Sequence, residues 1–208
     1  MARDGRRGPA PHKAVAGGRH VLGAPTDTSP MDEIVKAALK KWPNVPACYD
    51  WLALDARGQW FMRDERVQAA GPFPQVKGSR IEHEKLREFI HRNYGCDERG
   101  AWYFQNGPQR VYVTLEATPW IWRVMDTPGN EVFSHTGLPA KVHQVWVDEA
   151  GRVYLSTDLG PGLVHSLDVA AAADALESSA WGIYQPQTMK ALEAESRWGF
   201  VAHPKPQR

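Results

Sequence analysis

The sequence has no run approaching the roughly 20 consecutive apolar residues that a membrane-spanning helix needs. No apolar segment follows its first arginines as a secretory signal would require. The expected setting is therefore the cytoplasm, with no membrane partner. Cysteine is scarce: only Cys48 and Cys96 occur, in no CxxC pair. No His or Cys residues at ligand spacing accompany them, so no zinc site or other metal is expected. An excess of one charge is also missing. The 25 Lys and Arg and 24 Asp and Glu residues are interspersed and leave a net charge of +1, without the field that draws a protein onto nucleic acid. Catalytic and cofactor motifs are absent too. DLGPGL at 158–163 lacks the Lys and Ser/Thr of a phosphate loop and the glycine spacing of a dinucleotide fold, so it reads as a linker. Ser134-His135 sits in no GxSxG elbow. No cofactor is expected and no catalytic residue can be nominated.

What is present is a globular composition, 42% hydrophobic and 24% charged, over 208 residues, enough for one good core or two small lobes. Residues 1–30, rich in Gly, Pro and Ala, read as a disordered basic tail. Met31 then opens a segment of different composition and is an alternative start. An α+β domain is expected over 31–178, with 45–116 and 117–178 as alternative lobes, followed by a partly helical extension over 179–208 with a frayed end. Ile34, Val35, Ala38, Leu39 and Trp42 at helical spacing predict a first helix. The clearest helix covers about 80–94. Ser79 and Glu82 form a capping box before it, Ile81, Leu86, Phe89, Ile90 and Tyr94 make its apolar stripe, and Gly95 is placed to stop it. The fold expected is an antiparallel meander of β-hairpins packed on this central helix, with short helices at both ends.

A short pattern recurs. Asp55 to Phe61 reads DARGQWF, Asp97 to Tyr103 reads DERGAWY and Asp148 to Tyr154 reads DEAGRVY. Asp can bind the backbone two residues on, and Gly three positions later can take positive φ. Each copy therefore reads as a tight turn feeding an outgoing strand, not as a ligand site. Between Ala101–Gln105 and Gln109–Glu116, Asn106-Gly107 predicts a hairpin turn with both residues at positive φ. Pro108 would cost one ladder donor and favour an edge.

The order of these pieces, a DxxGxW turn, the helix GSRIEHEKLREFIHRNYG, then DERGAWYF and PQRVYVTLEATPWIWRV, resembles a family of small uncharacterised bacterial proteins. That family's pattern runs from a DGxW turn through an IxxxxLVxLF helix and a DGxYxL strand to P-x-[EQ]-[KR], and closes with VxVxxxPF. Gly58 and Trp60 match the turn, Ile81, Leu86 and Phe89 the helix, Pro108, Gln109 and Arg110 the proline step, and Val111, Val113, Pro119 and Trp120 the closing strand. Gln-Asn-Gly stands where the pattern has Thr before the proline, and the likeness covers about residues 50–125. The resemblance implies a compact α+β fold with antiparallel sheet, and no activity.

Nine Trp, six Tyr and six Phe are many for this length. Trp102 and Phe104 share one strand face, while Tyr103 and Tyr112 fall opposite, with Arg110 beside Tyr112. An aromatic surface with an arginine is thus expected outside, suited to a small molecule or a protein partner. Tyr103, Arg110 and Tyr112 are the candidate ligand-binding residues of a non-enzymatic binding module. Two other classes stay open. One is a metal-dependent or hydrolytic enzyme in which His83, His91 and His143 converge with carboxylates. The other is RNA binding through the aromatic face, although the charge balance argues against nucleic acid.

Overall fold

Residues 31–206 are described by a computed structural model; the tail expected over 1–30 lies outside the described residues. After helix α1 (Glu33–Lys41), a first sheet takes β1 (Cys48–Leu54), β2 (Trp60–Met62), β3 (Ser79–Arg80), β4 (Tyr94–Cys96), β5 (Trp102–Asn106) and β6 (Gln109–Leu115). Helix α2 (Glu65–Ala70) precedes β3, and α3 (Glu84–Arg92) lies between β3 and β4. A second sheet takes β7 (Trp120–Val124), β8 (Val132–Ser134), β9 (Pro139–Ala140), β10 (Val142–Val147), β11 (Val153–Thr157) and β12 (Gly160–Val164). Helix α4 (Val169–Glu177), strand β13 (Gln187–Thr188), a short 3-10 turn and α5 (Ala194–Trp198) follow.

The two sheets repeat one topology. Their orders are β3-β2-β1-β6-β5-β4 and β9-β8-β7-β12-β11-β10, with β13 added beyond β10. In each, two three-stranded antiparallel meanders join through their innermost strands, β1 with β6 and β7 with β12, and both junctions are parallel. The fold is α+β as expected, but the sheets are mixed where antiparallel hairpins alone were expected. Hairpin signals specify only neighbouring strands; the parallel junctions link strands far apart in sequence, where no turn residue can announce them.

One apolar core runs through both sheets, from Leu54, Trp60 and Leu115 to Trp122, Leu155 and Val164. The expected single central helix is not what the described residues show: among them five short helices accompany the two sheets. The helix expected over 80–94 is Glu84–Arg92 because Ser79 and Arg80 pair with β2 instead. His83 takes the capping role, its Nδ1 accepting from the Leu86 amide at 3.3 Å. The helix ends at Asn93, whose Nδ2 donates to the Phe89 carbonyl at 2.9 Å, and Gly95 lies within β4 opposite Tyr103.

Two loop expectations also change. Asn106 pairs with Gln109, so the tight turn is Gly107-Pro108, with Gly107 at φ +57° and Pro108 outside the ladder. That placement removes the reason for an edge, and β6 lies inside the sheet between β1 and β5. DLGPGL is no linker: Gly160–Val164 is β12, paired with both β7 and β11. Gly162 is required there, because a Cβ would come within 2.5 Å of the Trp122 indole nitrogen.

Candidate functional site

The recurring DxxG segments all form the same turn. Asp55 Oδ1 accepts from the amides of Arg57 and Gln59, Asp97 Oδ1 from those of Arg99 and Ala101, and Asp148 Oδ1 from those of Ala150 and Arg152, every bond between 2.9 and 3.0 Å. The glycines Gly58, Gly100 and Gly151 take φ of +74°, +81° and +76°. Each second carboxylate oxygen is also bound, Asp55 by Lys77 at 3.0 Å, Asp97 by Arg99 at 2.8 Å and Asp148 by Arg152 at 2.7 Å. Burial pushes the Asp97 and Asp148 carboxyls up, but the arginine, amide and tyrosine bonds outweigh it and hold both below the usual carboxylate value. These acids are saturated, as a structural role requires.

A fourth turn of this design, which the sequence reading missed, joins β8 to β9. Ser134 replaces the aspartate: its Oγ accepts from the Leu138 amide at 3.1 Å and the Thr136 amide at 3.3 Å, and Gly137 takes φ +87°. The signal was SHTG with Ser, a weaker acceptor, in the place of Asp. This turn carries His135 from the second sheet onto the first. Gly58 faces it so closely that a Cβ there would lie 2.7 Å from the His135 Cβ.

Beside this meeting point lies a cleft of about 90 Å³, lined by Gly58, Gln59, Trp60, Arg80, Ile81, Arg87, His91 and His135. Helix α3 supplies Arg87 and His91 one turn apart on one face. Strand β3 supplies Arg80, which is exposed. Trp60 forms the floor, with its ring centre 5.6 Å from that of His135 and 6.2 Å from that of His91. No carboxylate lines the cleft.

The hydrogen bonds fix which nitrogen of each neutral histidine carries the proton. The Trp60 indole N–H donates to His91 Nε2 at 3.0 Å, leaving the proton on Nδ1. The Ile121 amide donates to His135 Nδ1 at 3.3 Å, leaving the proton on Nε2. Both rings stay neutral at pH 7. Burial, reinforced by the Arg87 charge, lowers His91 to about 4, and burial next to His91 lowers His135 to about 3. Two donors remain unsatisfied: His135 Nε2 and Arg87 Nε are buried without a partner. Buried polar groups are nearly always bonded, so such a pair in one cleft calls for an explanation.

Tyr103, Arg110 and Tyr112 are brought together, but not as an exposed aromatic surface. Tyr103 and Tyr112 are directly paired across β5 and β6 and only 8% and 5% exposed. Two segments account for this: Val201 bridges Ala101 and packs against the cluster that Ala101 forms with the two tyrosines, while Tyr49 stacks on Tyr112 at 4.7 Å. Arg110 lies over the Tyr103 ring at 4.5 Å. The Tyr112 hydroxyl is used twice, donating to Asp97 Oδ2 at 2.9 Å and accepting from Arg99 at 3.1 Å.

The histidines do not converge as the enzyme reading supposed. His83 caps α3, His143 is exposed on β10, and only His91 enters the cleft, beside His135. Among the described residues no group of three or more His, Cys, Asp and Glu side chains is placed to hold a metal ion. None of the described helices is long and apolar enough to cross a membrane. A larger open groove of about 380 Å³ runs along α4, but the Arg123 that lines it is already paired with Asp168.

Two solved structures are similar to this chain. Against a DUF1285 family protein from Silicibacter pomeroyi DSS-3 the identity is 14% and the TM-score 0.44, covering 72% of this chain and 78% of that one. Against a DUF1285 family protein from Shewanella baltica OS155 the identity is 14% and the TM-score 0.42, covering 63% and 96%. No curated protein sequence matches the chain. The pattern of DUF2944, described as "Protein of unknown function (DUF2946)", matches residues 31–205, well beyond the stretch on which the resemblance was drawn. The chain belongs to that family.

Proposed function

We propose that this protein is a non-enzymatic ligand-binding module whose ligand sits in the cleft between the two sheets, against Arg87, His91 and His135. The observation that carries this reading is the pair of buried donors without partners, His135 Nε2 and Arg87 Nε, both on residues that line one cleft. Leaving such groups unbonded costs about 1–3 kcal/mol each, a cost that a bound acceptor removes.

Binding is favoured over catalysis by the state of the histidines. A general base needs a free lone pair, and here the His91 lone pair is taken by Trp60 and that of His135 by Ile121. The lining contains no Ser, Cys, Asp or Glu to act as a nucleophile. The ligand is placed here rather than at Tyr103, Arg110 and Tyr112 because the tyrosine rings are covered and the Tyr112 hydroxyl is already bonded.

A thermal-shift screen of small metabolites against the wild-type chain and Arg87→Met tests the reading. Stabilising compounds are expected, and their effect should vanish in the variant. Compounds that stabilise both proteins equally would place the ligand elsewhere.

A further inference from the structure

The cleft also indicates what kind of ligand it takes, an inference that rests on the binding reading above. We infer that it receives a tetrahedral oxyanion, the phosphate or sulfate group of a small molecule, held between Arg87 and His135 with Arg80 at the mouth. Three features carry this.

The first is the sign of the groups. Every side-chain polar group of the lining that is not already engaged is a donor or a cation, apart from the amide of Gln59: Arg80, Arg87, the His91 Nδ1–H and the His135 Nε2–H. Among the described residues neither Arg80 nor Arg87 is in an ion pair. Two guanidinium charges without a carboxylate match a ligand carrying up to two negative charges, and arginine is suited to fork-like contact with such oxygens.

The second is the direction of approach. The donors come from three separate elements, β3, α3 and the β8–β9 turn. A planar carboxylate presents two oxygens in one plane. A tetrahedral group presents oxygens toward several walls at once, which suits donors that arrive from both sheets.

The third is size. About 90 Å³ is small beside the roughly 300–1,000 Å³ of pockets that enclose a whole small molecule. It admits one oxyanion but not the body of a nucleotide or sugar, so the remainder of a larger ligand would extend past the exposed Arg80. Gly58 belongs to the same design, since any side chain at that position would displace His135 from the wall.

The test uses histidine-selective nitrogen spectra of the full chain at pH 7.0, titrated with sulfate, inorganic phosphate, phenyl phosphate and benzamide as an uncharged control. Sulfate is informative because it does not change charge over the pH range in which the histidines titrate. The expected result is saturable movement of the His135 signal with the anions, weakened roughly tenfold or more in Arg87→Met and less in Arg80→Met. Tighter binding of phenyl phosphate than of inorganic phosphate would support a phosphate ester as the ligand; the reverse would support the free anion. Movement with benzamide and none with any anion would overturn the oxyanion inference while leaving the cleft as a binding site. Anion binding of unchanged strength in both arginine variants would overturn it as well, by placing the anion outside the cleft. No movement with any compound in the set, followed by no hit in the metabolite screen, would overturn both readings. Folding of each variant is checked by its unfolding midpoint without ligand, expected within a few degrees of wild type.

Discussion

The turn at Asp97 and the turn at Ser134 share one backbone design and end in opposite states. At the first, Asp97 binds two amides, Arg99 and the Tyr112 hydroxyl, and none of these residues has a buried polar side-chain atom without a partner. At the second, Ser134 makes the same amide contacts, but the residue it carries, His135, has a buried Nε2 bonded to nothing. The contrast separates two uses of a tight turn. A closed network fixes a strand; an open one, brought against a second sheet, leaves donors for something that is not part of the chain.

The largest effect should come from closing the space that the second turn needs. Gly58→Val adds a side chain at φ +74° where even a Cβ meets His135 at 2.7 Å. The conformational cost is about 1–2 kcal/mol and overpacking adds about 1–3 kcal/mol. Gly137→Val, at the equivalent position of the other turn with φ +87° and nothing within 4 Å, should show only the first cost. Urea unfolding of both variants measures the difference; equal losses would mean that His135 is not held against Gly58.

Acid separates the two turns next. Folding lowers His91 from its ordinary 6.5 to about 4, so the unfolded chain takes up a proton that the folded chain refuses. Stability contributed by the neutral ring is complete above about pH 6.5 and is lost as pH falls toward 4, on the order of 3 kcal/mol for His91 alone, with His135 acting in the same direction. Asp97 and Asp148 are lowered below their ordinary 3.8, so their contribution persists above that value and disappears only at lower pH. Stability measured from pH 7 to pH 3 should therefore fall first in the histidine window. His91→Asn with His135→Gln should remove most of that fall, the remainder belonging to His165, which burial lowers in the same direction, and should leave the carboxylate part in place.

The smallest effect distinguishes the arginines. Arg99→Met breaks contacts to Asp97 and Tyr112 and should cost about 1 kcal/mol. Arg87→Met removes a guanidinium whose Nε is buried without a partner, and without ligand it should change stability by less than about 0.5 kcal/mol or raise it. A larger loss at Arg87 than at Arg99 would contradict the difference drawn between the two regions.

Much of the fold was legible because local rules governed it. DARG, DERG and DEAG each specified a turn, and each forms one. The hairpins around Asp55 and Asp148 were readable from strand residues on either side, whereas Tyr94 and Gly95, expected as the end of a helix, form the strand before Asp97. The repeated topology was not, because β1 with β6 and β7 with β12 pair across long separations. Helix α3 began late because the pairing of Ser79 and Arg80 with β2 outweighed a good capping box. The site was the least legible part. Tyr112 and Tyr103 looked exposed because alternation assigns faces without saying what covers them, and the cover comes from Tyr49 and Val201, both distant in sequence. Helical spacing did not mark His91 and Arg87 as a site, because His135 reaches them from the second sheet. Only Gly58, marked as a turn glycine, hinted that something came close.

The most direct test of the central claim is the protonation of the two cleft histidines without ligand. A long-range proton–nitrogen spectrum at pH 6.0 reports charge and tautomer together. The account predicts two neutral rings, His91 protonated on Nδ1 and His135 on Nε2. A charged ring at either position, or His135 carrying its proton on Nδ1, would contradict it.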